Sequence, residues 1–455
     1  MQSTLGLIAL PFVAALGYGQ IWFGRQRTGF GSFFAANRAI GFWTAALSIP
    51  IAWLWSNTII LGPQKAYEGG IAPVLWLAGL NCVGLLSFAI CAWQMNRVAD
   101  PEIPTLTGYI EKRFGTDMVW VYTIGILGTS IYSVVAQLVG AFVLLNYVTG
   151  IDKSTLAMLL APMMLILACA RGVQSSFAGD MVKAGMIVLV LVVVLLVAYT
   201  AGIDVFDHAV SGVSQKPVDF FDYGMLRFFV IPLAISWISG GALDHQLYQR
   251  SRSFSPAAKN AAWVGILPFG VVVLIISSAG FFAPWNVMKG LDHQLAGFVA
   301  IQQWMPVMGG VFIIAVAAAL LATGASALNA SACTWAADIV KPLQPEWSPV
   351  MVSRVAMGLI LVVCVGIALT GVTLLQLVLF IGAFRGALLF PTLLGLFTKK
   401  GLEHSRMFAV SIALTMITGT AVALLSGDPL WGGVVALTIS AAVCFVELRR
   451  QAVSI

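Results

Sequence analysis

The chain has 455 residues, 60% of them hydrophobic and only 9% charged, far from the roughly 45–50% apolar and about 25% charged make-up of a soluble globular protein. That composition excludes a water-soluble fold and leaves no room for a separate soluble domain. The formal net charge of +6 sits in short loops between apolar stretches, so it reports on membrane orientation and excludes nucleic acid as a partner.

A membrane span needs about 20 mostly apolar residues to cross a hydrocarbon layer of about 30 Å. In chain order such stretches fall near 4–23, 41–68, 71–95, 118–148, 155–170, 175–202, 225–247, 260–283, 306–337, 349–371, 372–398, 405–426 and 429–447, which predicts an all-α polytopic protein of about thirteen spans. The first stretch has no basic residue before it and Arg25, Arg27 and Arg38 after it, which places the N-terminus outside. A cleaved signal peptide is the other reading of this segment, but it lacks a basic n-region and its apolar run is long.

With that orientation the inside loops hold Arg25, Arg27, Arg38, Arg97, Lys112, Arg113, Arg171, Arg250, Arg252, Lys259, Lys341, Arg354, Lys399, Lys400, Arg406, Arg449 and Arg450. The outside loops hold only Lys153, Lys216, Arg227 and Lys289. One missed span would scramble this alternation, so the bias supports both the span count and the orientation. The expected location is the plasma (inner) membrane, with the C-terminus inside. The six cysteines all lie in apolar stretches without metal or redox spacing, and read as small buried hydrophobes.

Two stretches differ from simple anchors. The second contains Pro50, then Trp53, Trp55, Ser56, Asn57 and Thr58, then a helix-breaking Gly62-Pro63; the seventh contains Pro232, Ser236, Trp237 and the run Ser239-Gly240-Gly241. Breakers with polar side chains at membrane depth leave backbone groups unpaired, which is tolerable where protein, water or a ligand satisfies them. The alternative is a Pro kink in an ordinary span. These two stretches open two sets of five spans, and because five is odd the sets start on opposite sides of the membrane, as an inverted repeat requires. Paired interrupted helices in inverted halves, with binding at the midplane, are the pattern of secondary transporters. The division expected is an extra helix and loop over 1–40, a first repeat over 41–202, a second over 203–398 and two further helices over 399–455.

At the level of motifs the chain resembles the sodium:solute symporter family. The resemblance starts at Phe33-Phe34-Ala35-Ala36-Asn37-Arg38 and Ala66-Tyr67-Glu68-Gly69-Gly70, and continues through the loop Pro104 to Gly115 and Asp180. Further matches are Asp244 to Arg250, and Ala325-Ser326-Ala327-Leu328-Asn329 leading to Asp338-Ile339-Val340-Lys341-Pro342. The order and spacing of these motifs, together, are specific. The resemblance implies the five-plus-five inverted-repeat fold and cation-coupled symport of a small polar organic solute, with an anionic solute among the options.

The resemblance also implies a sodium site between the second and ninth spans. Its matching positions are the carbonyls of Ile51, Leu54 and Ala319, followed by two side-chain positions that carry hydroxyls in the family and read Ala322 and Thr323 here. One hydroxyl is therefore missing, and a hard cation needs oxygen ligands. Small-residue helix packing explains Ala319 and Ala322 equally well. The implied solute site uses Trp53, Asn57, Thr58, Trp237 and Gly241, although tryptophans in spans also serve as interface or packing residues.

Charges at membrane depth are costly and face a cavity or a partner. Arg385 lies about fourteen residues, roughly 20 Å of helix, from the inside flank at Lys399, too deep for snorkelling. It pairs either with an anionic group of the solute or with a carboxylate of another helix. Asp180 and Lys183 share a helix face and can neutralise each other. Lys183 stands where the family usually carries glutamine, and can instead act as a tethered positive charge on the cation route, weakening dependence on sodium. Asp244 and His245 form either a proton-titrating gate or a pair of solvated helix-end residues. Lys65 and Glu68 read as an outer gate or a surface ion pair.

A cation-coupled importer is thus the leading reading. The alternatives are a proton-coupled or uncoupled carrier of the same fold, or a sensor that binds solute without moving it and would want an appended signalling domain after Ile455. An enzyme is not expected, since the sequence holds no metal-ligand cluster, His-Glu-x-x-His helix or nucleophile motif. No cofactor is expected beyond the coupling ion, sodium; the expected partners are the solute and the lipid bilayer, with no obligate protein partner evident.

Overall fold

The computed structural model describes residues 30–100, 105–202, 218–398 and 406–453, and among them the chain is helical throughout, with no strand. The main elements are α1 (Phe42–Trp53), α2 (Gly62–Gly69), α3 (Ile71–Val98), α4 (Thr116–Thr149), α5 (Lys153–Arg171), α6 (Val173–Ala201) and α7 (Ile231–Leu243). They continue with α8 (His245–Ser253), α9 (Ile266–Ser278), α10 (Pro306–Trp335), α11 (Pro349–Leu369), α12 (Leu374–Phe397), α13 (Arg406–Ser426) and α14 (Pro429–Val453). Among the described residues ten helices are long and apolar enough to cross a membrane, or up to twelve when each of two bent pairs counts as one span. The first predicted stretch, 4–23, lies outside the described residues, so the count of thirteen rests on a segment about which the structure says nothing.

Local sequence sets the ends of these helices. Gly150, at φ 70° in the left-handed region, ends α4, a conformation that glycine adopts without a Cβ penalty. Two residues later the Asp152 carboxylate accepts from the Thr155 amide at 3.0 Å and starts α5, so so short a link returns the chain antiparallel. At α12 the hydroxyl of Thr373 and the side chain of Gln376 form a reciprocal capping box, which satisfies two free amides at once.

Burial sorts the helices into a core and a lipid-facing shell. The apolar windows of α10 and α4 are 83% and 78% buried, against 33% for those of α5, α6, α11 and α14. Along α6 one face, Ile187, Val190, Val194 and Val197, is buried while Val188, Val192, Leu195 and Tyr199 are exposed. A helix apolar on both faces is the signature of a span seen by protein on one side and lipid on the other.

The two interrupted stretches do break: the second predicted stretch at Leu54, one of the two unwound carbonyl positions that the resemblance implies, and the seventh a few residues past the expected Ser239-Gly240-Gly241 run. In the second, the chain leaves helical geometry at Leu54 (φ −76°, ψ 91°) and re-enters through a wide turn over Asn57–Leu61, with a bend of 64° between the flanking helices. Gly62-Pro63 opens α2 instead of interrupting it, because the first turn of a helix has no use for the missing proline N–H. In the seventh, Ser239-Gly240-Gly241 continues inside α7 and the break comes at Asp244 (φ −69°, ψ 101°). A Cβ on Gly241 would stand 2.0 Å from the Gly84 carbonyl oxygen of α3, so that glycine permits a close helix crossing.

Candidate functional site

The break after α1 takes the Ile51 and Leu54 carbonyl oxygens out of the regular helix ladder, Ile51 still accepting from the Leu54 amide at 3.2 Å, and a lysine ammonium fills the space they face. Lys183 of α6 is 2% exposed. Its Nζ donates to the Ile51 oxygen at 2.7 Å, to the Leu54 oxygen at 2.5 Å and to Thr323 Oγ1 of α10 at 2.6 Å. Thr323 Oγ1 in turn donates to the Ala319 oxygen at 2.9 Å. Every oxygen that the resemblance assigns to a sodium ion is therefore engaged with Lys183 directly or through Thr323, and Ala322 adds none.

Asp180 does not neutralise Lys183, the first of the two readings of that pair. It accepts from Arg250 of α8 in a forked ion pair, Nε to Oδ2 at 3.0 Å and Nη2 to Oδ1 at 3.2 Å, and from the hydroxyl of Ser48 on α1. Arg250 also donates to Ser326 Oγ on α10 at 2.8 Å and is 0% exposed. The sequence reading had counted Arg250 as a basic loop residue; it is instead the centre of a buried polar knot joining α1, α6, α8 and α10. Its position just past a helix break looks like a loop in sequence, and only the carboxylate at Asp180 hinted at a partner.

On the other side of the break lies an aromatic wall. The Trp53 and Trp55 rings stand 5.7 Å apart and Trp55 lies 5.5 Å from Tyr132 of α4. Trp53 Nε1 donates to Asn81 Oδ1 at 3.1 Å and Trp55 Nε1 to the Ala52 oxygen at 2.8 Å, which locks both indoles. Arg385 of α12, 1% exposed, lies over the rings of Tyr132 at 4.8 Å and Trp55 at 5.8 Å. Its Nε donates to Thr129 Oγ1 at 3.3 Å, while Nη2 is buried without a partner. No carboxylate pairs with it among the described residues, so the alternative of an interhelix ion pair is not the arrangement here. A Cβ on Gly240 would come within 2.6 Å of Arg385 Nη1.

Other predicted positions fall differently. Thr58 and Trp237 are buried near the break, Trp237 with its backbone against Gly84 of α3. Gly241 faces the Gly84 backbone and serves the crossing of α7 on α3; the Asn57 side chain lies outside the described residues. Asp244 and His245 are 1% and 4% exposed, so they are not solvated helix-end residues. The Asp244 carboxylate caps α8 through the Leu247 amide at 3.1 Å, and His245 Nε2 lies between the hydroxyls of Ser130 and Ser331 at 3.1 and 2.9 Å. Lys65 donates to Glu68 at 2.6 Å, with His293 Nδ1 3.1 Å from the same carboxylate, a partly exposed cluster away from the break. The polar atoms that sequence reading did not single out are Gln137 Nε2 and Gln246 Oε1, both buried without a partner on helices that pack around the break; such groups need a ligand or water.

Comparison with known proteins gives this geometry its context. A family model described as the sodium:solute symporter family matches residues 33–413. A probable urea active transporter of Schizosaccharomyces pombe is 25% identical over 38% of this chain, and the match spans 26% of the relative's own length. A sodium/pantothenate symporter of Escherichia coli is 24% identical over 46% of this chain and 43% of its own. Among solved structures, a substrate-bound outward-open sodium-coupled sialic acid symporter superposes with a TM-score of 0.73 at 17% identity, covering 97% of both chains. At that identity the likeness carries the fold, a five-plus-five inverted-repeat transporter core. These two curated relatives are matched over less than half of their own length.

Proposed function

Because the chain belongs to the sodium:solute symporter family, an integral-membrane family of transporters and not of enzymes, we propose that it is a secondary carrier moving a small organic anion by alternating access. Arg385 receives the anionic group and the Trp53–Trp55–Tyr132 wall packs on its apolar part. The observation that carries this reading is the Arg385 guanidinium: buried, stacked on aromatics, and holding an unpartnered Nη2 beside the broken helix. A guanidinium presents a rigid fork that matches a carboxylate through two parallel hydrogen bonds, and a buried charge without a partner is costly unless a ligand supplies one.

A groove of about 610 Å³, lined by Tyr132, Gln376 and Phe384 among others, reaches the ring on which Arg385 stacks. In the proposed orientation, with the N-terminus outside, this groove opens on the outer side of the plasma membrane and offers a route to the site. Pantothenate and sialic acid, which two of the similar proteins are named for, each carry a carboxylate. Urea carries none, and a neutral amide would meet the same fork through its carbonyl, which makes amides the natural comparison. Sodium, the coupling ion implied by the resemblance, is the part of the family pattern that the Lys183 contacts oppose.

The test is the melting temperature of the detergent-purified chain against matched pairs of small carboxylates and their amides, since a ligand of the native state raises it. A carboxylate that stabilises wild type but not Arg385→Gln supports the reading. Stabilisation by an amide and not its acid, or by an acid equally in Arg385→Gln, contradicts it.

A further inference from the structure

We propose that the Lys183 ammonium is the resident cation of the site between the α1 break and α10, so that this chain works without sodium there. The consequence for transport rests on the carrier reading above; the occupancy of the site does not. An ammonium has three protons and no acceptor, and the three are spent on Ile51, Leu54 and Thr323 at 2.5 to 2.7 Å. The Thr323 hydroxyl proton is committed to the Ala319 oxygen, which leaves its lone pairs to face Lys183. A metal cation among the same oxygens would stand within about 4 Å of the ammonium, and at an effective dielectric of about 20 that repulsion weakens binding about a thousandfold.

The charged groups facing Lys183 are Asp180 and Arg250, and these two are tied to each other in their own forked pair. The other helices packed on α6 are short of charge: α1, α9 and α10, like Phe30–Ala35, Ala279–Phe282 and Ala296–Trp304, contain no Asp, Glu, Lys, Arg or His. α5 carries only Lys153 and Arg171, at its two ends. Lys183 is thus the one unpaired full charge at the site among the described residues.

A tethered cation cannot leave with the solute, so no cation from this site accompanies it across the membrane.

Binding of radioactive sodium to the purified full chain, with no solute present, tests the site. Wild type is expected to bind no sodium at the break, whereas Lys183→Gln combined with Ala322→Ser, which restores the family pattern of the resemblance, gains sodium binding about a thousandfold tighter than any in wild type. Sodium binding by wild type that Thr323→Val removes would overturn the proposal, and that pair of measurements does not depend on the double variant folding. Since no solute is added, these results stand apart from whether an organic anion is moved.

Discussion

Two guanidinium groups, Arg250 and Arg385, are almost wholly buried, and they differ in what shares their charge. Arg250 is matched by the Asp180 carboxylate and two hydroxyls, whereas Arg385 has aromatic faces, one threonine oxygen and an open Nη2. Removing one partner of a buried pair strands the other charge, so Asp180→Asn is expected to cost about 3–5 kcal/mol of stability. Arg250→Gln placed in the same chain should cost less than the sum of the two single changes. Chemical denaturation in detergent of the two single variants and the double checks both statements. Arg385→Gln should behave in the opposite way, leaving the melting temperature of the free protein unchanged or higher while abolishing the stabilisation by carboxylates, because it removes an unmatched charge instead of half of a pair. The presence of these charges at membrane depth was legible in the sequence at Arg385 and Asp180. The identity of their partners was not, because Asp180 and Arg250 are joined only by the packing of α6 against α8, and the separation of 70 residues carries no periodic signal.

At the scale of elements, the polar run after Pro50 announced an interrupted helix correctly, since polar side chains and unpaired carbonyls at membrane depth need a reason. Ile51 and Leu54 mark the first break correctly, whereas Gly62-Pro63 and Ser239-Gly240-Gly241 do not interrupt their helices, because proline and glycine have two uses. Gly62-Pro63 starts a helix, and Gly240 and Gly241 let α7 approach Arg385 and α3. The two glycines make separable predictions. A Cβ at position 241 meets backbone, the Gly84 oxygen at 2.0 Å, so Gly241→Ala forces α7 and α3 apart and is expected to cost about 1–3 kcal/mol. A Cβ at position 240 meets the end of a flexible side chain, Arg385 Nη1 at 2.6 Å. Gly240→Ala should therefore shift Arg385 and weaken carboxylate binding several-fold with a smaller loss of stability, a contrast that paired melting and binding curves will read. The Lys183 contacts illustrate the same limit of sequence: its identity marked a possible tethered charge, but reaching two carbonyls of another helix is a property of the folded break.

For the molecule as a whole, hydropathy accumulates along the chain without knowledge of the fold, which is why the predicted stretches from 41–68 onward coincide with helices or bent pairs. Partner choice, helix breaks and the filling of a cation site depend on packing and were not legible in that way. In the proposed reading of this transporter core, Lys183 holds the place of the coupling ion and Arg385 receives the anionic end of a solute. The central claim of that reading is movement of that solute. The most direct measurement is uptake of a radiolabelled carboxylate, one that stabilises wild type but not Arg385→Gln, into proteoliposomes without sodium. Passage of the label into the vesicles is expected, abolished by Arg385→Gln and not increased when sodium is added outside. Binding without any passage of the label, which would make the chain a sensor, contradicts that claim.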